Sequence, residues 1–361
     1  TFNDMAAVLQ DTLEAVENER NKLDTLFLHM TDGVVAFASD GSVLHSNPAV
    51  SQMLGKEVNF YDYDALFGQQ FPFDQVMSLQ RPDFVSGELT AGGRILELYL
   101  APFSDGEDGG VMAVLHDVTA QRKNEEMRKE FVANVSHELR TPLTNVRSYA
   151  ETLRDSEDIP RDMTNNFLDI IISETDRMTH IVQDLLTLSR LDSGRADMKM
   201  VRFPFREAID SVCRAVDLEA KRHHHTLIRN YGPTLPMITG DKSRLEQVMM
   251  NVIGNAIKYT PDGGTIQVDA GITGKNVWME VSDNGIGIPR QDRERIFDRF
   301  YRVDKARSRE SGGTGLGLSI AREIVMRHNG SIALTDHEGP GTTVRIVLPI
   351  RQEENEEAEH E

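Results

Sequence analysis

A histidine with a carboxylate beside it, and a threonine four residues further on, is the group in this sequence best suited to covalent chemistry. His137, Glu138 and Thr141 lie in a segment that reads Phe-Val-Ala-Asn-Val-Ser-His-Glu-Leu-Arg-Thr-Pro-Leu from residue 131 to 143. An imidazole held in water on a rigid scaffold is a potential nucleophile. A zinc site of the His-Glu-x-x-His type is excluded, because Thr141 stands where the second histidine would be.

The residues around this histidine repeat with a period of seven. Two sets of apolar positions show the repeat: Val132, Leu139, Val146 and Leu153, and Val135, Pro142 and Tyr149. Such heptads predict a helix that buries both sets against other helices and turns His137 and Thr141 toward solvent, one turn apart. The alternative interpretation is a surface histidine without a role.

A second group of residues, in the C-terminal half, has the composition of a nucleotide site. Four segments follow in order: Asn251-x-x-x-Asn255-Ala-Ile-Lys258-Tyr259, Asp283-Asn-Gly285-Ile-Gly287, Phe297-Asp-Arg-Phe300-Tyr301-Arg302 and Gly313-Thr-Gly315-Leu316-Gly317. Each segment alone is weak evidence, since paired glycines also occur in plain turns and at helix starts. Together they predict one ATP site.

Each segment has a physical role in that site. Asn251 and Asn255 share one helix face, so their amide oxygens can bind one Mg²⁺, and Lys258 can reach phosphate one turn further. Asp283 can accept a hydrogen bond from the adenine amine, and the two glycines after it let the backbone approach the base. The glycines at 313–317 precede a helix, whose free N–H groups favour phosphate.

The segment from Arg302 to Ser311 is basic and nearly free of apolar residues. It contains Lys305, Arg307 and Arg309, and Arg302 directly follows an aromatic pair. We interpret the segment as a basic lid over the nucleotide, with Arg302 as an ATP-binding residue. An ordinary solvated loop is the alternative.

Length and charge limit the class of protein. A chain of 361 residues predicts two or three domains. The net charge of −19 argues against nucleic acid or an anionic membrane surface as a partner. The single cysteine, Cys213, excludes an intrachain disulfide and suits a reducing cytoplasm.

The start of the chain lies inside a heptad pattern. Apolar residues recur every seven positions from Phe2 to Leu23, and no stretch approaches the ~18 consecutive apolar residues of a membrane-spanning helix. We therefore expect a cytoplasmic fragment of a longer protein, attached to the membrane only through a segment absent from this chain.

The pattern of apolar and turn residues along the sequence predicts an α+β multidomain chain. Residues 1–28 form a coiled-coil helix, and residues 29–119 an α/β module with strands near 34–38, 42–45, 95–100 and 111–116. Residues 120–194 form two long helices, 118–155 and 162–191, that need two more helices to bury their apolar stripes; two chains therefore make a four-helix bundle, with a kink at Pro142. Residues 198–351 form an α/β-sandwich ATP-binding domain, with helices predicted at 205–222, 243–259 and 314–328 and strands at 265–270, 277–282, 331–335 and 342–349. Residues 352–361 form a disordered acidic tail.

The ordered motifs closely resemble the H, N, G1, F, G2 and G3 boxes of sensor histidine kinases, with Gly339-Pro-Gly341-Thr342 as the last. The resemblance covers residues from about 120 to 350. Residues 29–119 resemble a PAS domain, and Thr1-Phe-Asn-Asp-Met5 the end of a HAMP helix. Within the family, the wording around His137 is similar to the WalK/VicK branch of low-GC Gram-positive bacteria.

The resemblance implies an activity and partners. A homodimer transfers the ATP γ-phosphoryl group to His137 and then to an aspartate of a response regulator of the OmpR type. Glu138 holds the imidazole proton, and Thr141 orients water to dephosphorylate the regulator. The family pattern adds Tyr259, Leu316 and Thr342 to the ATP-binding residues.

A weaker prediction concerns metals. His29, Asp32 and His116 lie near the two ends of the 29–119 module, so they can converge on Zn²⁺, with water or Glu125 as fourth ligand; two unrelated surface histidines or a small organic ligand in the module are the alternatives. The tract His223-His224-His225 is interpreted as structural rather than metal-binding.

Two other functions remain to be weighed. One is another ATPase of the gyrase, Hsp90 and MutL superfamily, which lacks a helical hairpin with His-Glu-x-x-Thr-Pro directly upstream. The other is a degenerate kinase that only binds ATP and dimerises. The presence of Asn255, Asp283 and all the glycines argues against it.

Overall fold

The computed structural model describes residues 2–80, 82–103, 109–156, 159–192, 198–303, 313–336 and 339–351, with the backbone alone at 2–9 and 59. The chain divides into two compact units, Thr1–Glu130 and Phe131–Glu361. In the described part, no helix has both the length and the apolar character that a membrane span requires. The predicted acidic tail lies outside the described residues.

The first unit is a long helix followed by a small α/β module. The elements are α1 (Phe2–His29), β1 (Gly33–Ala38), β2 (Val43–Ser46), α2 (Pro48–Leu54), a 3₁₀ turn (Val58–Phe60), a π-helical turn (Asp64–Gly68), α3 (Phe73–Met77), β3 (Val85–Ala91), β4 (Arg94–Pro102) and β5 (Gly110–Asp117). The strands pair antiparallel in the order β2-β1-β5-β4-β3. Their alternation puts one apolar face against the short helices.

Asn47 fastens this module together. Its amide Oδ1 accepts from the N–H of Val34 at 2.9 Å, and its Nδ2 donates to the carbonyl of Asp32 at 2.8 Å. The same Oδ1 accepts from the N–H of Val50 and so caps helix α2. Nδ2 also donates to the carbonyl of Phe27 at 3.3 Å, so one buried side chain joins the end of α1, the first strand and the first short helix.

The second unit begins within a helical hairpin. Helix α4 (Thr119–Asp155) and helix α5 (Arg161–Asp192) confirm the predicted pair, and Pro142 is buried inside α4 without ending it. The amide of Asn145 donates to Glu174 at 2.7 Å, and the rings of Tyr149 and Phe167 lie 5.2 Å apart. The helices therefore pack antiparallel.

The remaining described elements form an α/β lobe. They are β6 (Val201–Pro204), α6 (Phe205–Arg222), β7 (Thr226–Tyr231), β8 (Met237–Gly240), α7 (Lys242–Tyr259), β9 (Thr265–Thr273), β10 (Asn276–Asp283), a 3₁₀ turn (Arg290–Asp292), α8 (Gly317–Arg327), β11 (Ser331–Thr335) and β12 (Thr342–Pro349). The main sheet has the order β11-β12-β10-β9-β7, with β7 parallel to β9 and the other neighbours antiparallel. Strands β6 and β8 pair separately.

The lobe core forms where amphipathic helices cover one sheet face. The inward residues of α6, α7 and α8 are buried together with every second residue of β9 and β10. Asp241 caps α7 by accepting from the N–H of Arg244 at 3.1 Å. The N–H of Asp241 donates in turn to Nε2 of the buried His328 at 2.9 Å, which ties the start of α7 to the end of α8.

The strand predictions were incomplete. Strands β3, β6 and β8 were not predicted, and α8 begins at Gly317 rather than Thr314. Strand β3 is half exposed and contains Gly87, so its apolar alternation is weak. Strands β6 and β8 have four residues each, too few for a periodic signal to stand out from a loop.

Candidate functional site

His137 lies on the exposed side of α4, as the heptads predict. Thr141, one turn on, is also exposed and donates its hydroxyl to the carbonyl of His137 at 3.3 Å. Glu138 is half-buried, and Pro142 lies in the packed face. The helix thus presents the imidazole to solvent and turns the neighbouring carboxylate toward the rest of the second unit.

Glu138 receives two arginines on one oxygen. Its Oε2 lies 2.8 Å from Nη2 of Arg302 in the lobe and 3.3 Å from Nη2 of Arg177 on α5. Arg302 also donates to the carbonyl of Gly313, so one guanidinium joins the histidine segment to the glycine-rich segment. Arg177 was not predicted, because nothing local in α5 distinguishes it from a solvated helix arginine.

Helix α7 carries the two asparagines on one face, and Asn251 contacts the start of α8. The Nδ2 of Asn251 donates to the carbonyl of Gly317 at 2.8 Å, and Asn255 is half-buried one turn further on. The carbonyl oxygen of the Asn251 amide is therefore turned away from that bond. Both residues fit the expected oxygen donors for a hard cation.

Asp283 is the last residue of strand β10, and glycines surround it. The residue is 8% exposed, and its Oδ1 accepts from the N–H of Gly285 at 2.9 Å. A Cβ at Gly285 would overlap the carbonyl of Tyr259, and one at Gly341, where φ is +131°, would overlap the carbonyl of Asp283. These glycines let three chain segments approach one carboxylate.

Two further predicted residues border the same place. Thr342 begins β12 as the register partner of Asp283. Gly287 has φ +72°, and a Cβ there would lie 3.2 Å from the carbonyl of Gly341. The structure thus brings the G1 and G3 segments together at the ends of adjacent strands.

Lys258 lies beside the glycine-rich segment. A Cβ at Gly313 would overlap its Nζ, and Nζ stands 5.2 Å from the centre of the Tyr259 ring. Burial, together with the charges of Arg302 and Arg177, lowers the pKa of Lys258 to about 8. In the described part, no carboxylate lies within ion-pair distance of Nζ.

The turn before α8 also requires glycine. Gly315 has φ +72°, and its carbonyl accepts from the N–H of Phe300 at 2.9 Å, which packs the F segment on the G2 segment. Leu316 is fully buried, and α8 begins at Gly317 with its first N–H groups at this edge. Residues 304–312, and with them Lys305, Arg307 and Arg309 of the predicted lid, lie outside the described residues.

The zinc prediction is not supported. Nδ1 of His116 lies 2.7 Å from Oδ1 of Asp32, and this contact raises the pKa of His116 above its ordinary value. His29 does not complete the set, because among the described residues no three His, Cys, Asp or Glu side chains form a metal-binding group. The two ends of the module therefore come together as a contact between His116 and Asp32 only.

Two residues of the histidine tract contact the loop that follows α7. His223 lies 2.9 Å from Asp262, and the buried His225 faces the carbonyls of Thr260 and Pro261 at 3.2 and 3.1 Å. The tract therefore supports the loop after α7.

Comparison with known proteins identifies the class. Residues 127–194 match the model of the His Kinase A (phospho-acceptor) domain, and residues 240–352 the model of histidine kinase-, DNA gyrase B- and HSP90-like ATPases. The chain belongs to the sensor histidine kinase family, which confirms the resemblance.

Two individual relatives show how similar the chain is to known sensor histidine kinases. The chain is 38% identical to the sensor histidine kinase WalK of Bacillus subtilis over 99% of its own length and 60% of that protein. It is 36% identical to the sensor protein kinase WalK of Staphylococcus aureus over 96% of its length and 85% of one sequence. The chain thus spans about three fifths of the length of the Bacillus relative.

Two solved structures share the fold. The histidine kinase ThkA, in complex with the response regulator protein TrrA, superposes with a TM-score of 0.51 at 22% identity, over 88% of this chain and 95% of that one. The Acinetobacter baumannii histidine kinase AdeS superposes with a TM-score of 0.50 at 23% identity, over 59% of this chain and 98% of that one.

Proposed function

We propose that this chain uses ATP to phosphorylate His137 and then passes the phosphoryl group to an aspartate of a response regulator of the OmpR type. One observation carries the proposal: Arg302 bonds both Glu138, the neighbour of His137, and Gly313 at the nucleotide edge. The exposed imidazole and the glycine-rich edge therefore belong to one region of the second unit.

The chemistry divides among the residues as follows. Nε2 of His137 attacks the γ-phosphorus while the bond to the β–γ bridging oxygen breaks and the electron pair leaves with ADP. Glu138 holds the Nδ1 proton and so fixes the tautomer. Lys258 and Arg302 offset phosphate charge, since phosphoryl transfer depends chiefly on position and electrostatics.

The lobe residues fit a bound nucleotide. Asp283 accepts from the adenine amine, with Gly285 and Gly287 against the base and Thr342 beside it. Asn251 and Asn255 would hold Mg²⁺, which would offset the negative charge of the phosphates. Tyr259, Leu316 and the glycines at 313, 315 and 317 form the remaining wall.

The proposal is tested by incubation with γ-labelled ATP. Wild-type chain should take up label that acid removes and alkali does not, and His137→Gln should take up none, because the nucleophile is lost. Asn166→Gln, an exposed change on α5, serves as control. Acid-labile label retained in His137→Gln would refute the assignment.

We also infer that Thr141 supports removal of phosphate from the regulator. Its hydroxyl is exposed one turn from His137, where it can orient a water toward a bound acyl phosphate. Thr141→Ala should label normally from ATP but dephosphorylate the phosphorylated regulator about tenfold more slowly. A phosphatase rate equal to that of the wild type would remove Thr141 from the site.

The remaining regions have proposed roles. Residues 120–194 pair with a second copy as a dimeric four-helix bundle, residues 29–119 act as a PAS sensor module, and residues 1–28 as a signalling helix. The strand order β2-β1-β5-β4-β3 supports the module. Exposed apolar side chains on the hairpin, such as Leu143 at 56% and Ile172 at 57%, support the dimer.

A further inference from the structure

Three cationic side chains converge where the hairpin meets the lobe. Lys258 and Arg302 belong to the lobe and Arg177 to α5. Arg302 and Arg177 share one oxygen of Glu138, at 2.8 and 3.3 Å. Both arginines also lower the pKa of Lys258, so the charge of Arg177 on α5 lies close enough to repel the charged amine of Lys258 in the lobe.

Arg177 is held firmly in this position. Its side chain is 12% exposed, and its Nη1 lies 3.9 Å from Oε2 of Glu174. The other oxygen of Glu174 accepts from Asn145 on α4 at 2.7 Å. A polar chain therefore runs across the hairpin and fixes the guanidinium against Glu138.

The local charges leave room for an anion. Three cations, Arg177, Arg302 and Lys258, face the carboxylates of Glu138 and Glu174. Nε of Arg177 is buried without a hydrogen-bond acceptor among the described residues. A buried donor on a charged group costs free energy until an acceptor reaches it, so a phosphoryl group that reaches this place during transfer would be stabilised here.

We propose that Arg177 is a positioning residue for phosphoryl transfer. It holds the Glu138 carboxylate beside His137 and extends the cationic surface of the lobe onto the hairpin, so that the γ-phosphate is stabilised from both sides. Arg177 takes no part in bond making or breaking. The inference rests on the proposed autophosphorylation and adds a residue from the second hairpin helix to its site.

The test compares Arg177→Gln, Arg177→Lys and Arg147→Gln in the full chain. Arg147 is a matched control, since its side chain is 78% exposed on α4 and pairs within its own helix. Arg177→Gln should lower kcat for label uptake about 10- to 100-fold, because a buried charged partner is lost. The Kd for ATP should change less than threefold, since Arg177 lies outside the lobe. Arg177→Lys should recover part of kcat.

A purely structural role for Arg177 predicts another result. Rates would then follow the folded dimer fraction, measured by thermal unfolding and light scattering, and kcat per folded dimer would equal that of Arg147→Gln. That equality would overturn the inference. Absence of label in the wild type would instead defeat the proposed function, so the two failures are distinct.

Discussion

At the scale of single residues, the environment of Glu138 is the most informative feature. Glu138 follows His137 in the chain but points to another side of α4, where one of its oxygens is held by Arg302 and Arg177. The same guanidinium of Arg302 bonds Gly313. A phosphate entering beside Gly313 would compete for Arg302, so nucleotide binding and the setting of Glu138 are coupled through one side chain.

Lys258 makes this site sensitive to pH. Burial lowers its pKa from the ordinary 10.5 to about 8. In the proposed site the charged amine of Lys258 binds phosphate, so the affinity for ATP should fall as the pH rises through about 8. The opposite sign holds for the nucleotide-free lobe, because between about 8 and 10.5 the unfolded chain binds more protons than the folded one. The contribution of Lys258 to the free energy of unfolding should therefore become more favourable as the pH rises from about 8 to 10.5.

Titration of ATP at pH 7 and pH 9, and urea unfolding without nucleotide, measure both effects. Lys258→Met should bind ATP more weakly at pH 7 and lose the fall in affinity between the two pH values. Lys242→Met, at the opposite end of α7, is the control. An ATP affinity of the wild type that does not change between pH 7 and 9 would contradict the assignment.

At the scale of elements, α5 has one buried and one exposed apolar face. The residues Ile181, Leu188 and Leu191 are buried. Another stripe remains exposed, with Leu168, Ile172, Val182 and Leu186 between 44% and 57% exposed. These positions recur at intervals of four and ten residues, which keeps them on one side of the helix. A second hairpin would bury them.

A charge in the exposed stripe tests that pairing. Ile172→Glu should convert the dimer to a monomer in light scattering, because two carboxylates would be buried in one apolar contact. Asn166→Glu, an exposed polar position on the same helix, should remain dimeric. A dimer of unchanged stability in Ile172→Glu would place the interface elsewhere.

At the scale of the second unit, polar contacts join the lobe to its own hairpin, among them a hydrogen bond from the guanidinium of Arg327 to the carbonyl of Leu191. Arg302 meets Glu138, Arg299 binds Asp192 through two bonds of 2.8 and 2.7 Å, and Thr314 donates to Asp184 at 3.0 Å. Burial raises the pKa of Asp184, so this last contact lies in a partly dry interface. Thr314 belongs to the glycine-rich segment, so this contact holds the glycine-rich edge of the lobe against α5.

Features that repeat along the chain could be predicted from the sequence. Heptads gave both hairpin helices and the exposed side for His137, because the period of a helix is a local property. Strands β9 to β12 were predicted close to their observed bounds, since they alternate clearly.

Contacts between segments that are distant in the chain could not be predicted from the sequence. The approach of Gly341 to Asp283, the position of Arg177 and the missing third member of the zinc set depend on how elements pack. Helix, turn and motif follow from neighbours in the chain, whose geometry each residue type restricts directly. Which carboxylate meets which arginine depends on packing among segments far apart in sequence, and only the tertiary structure decides it.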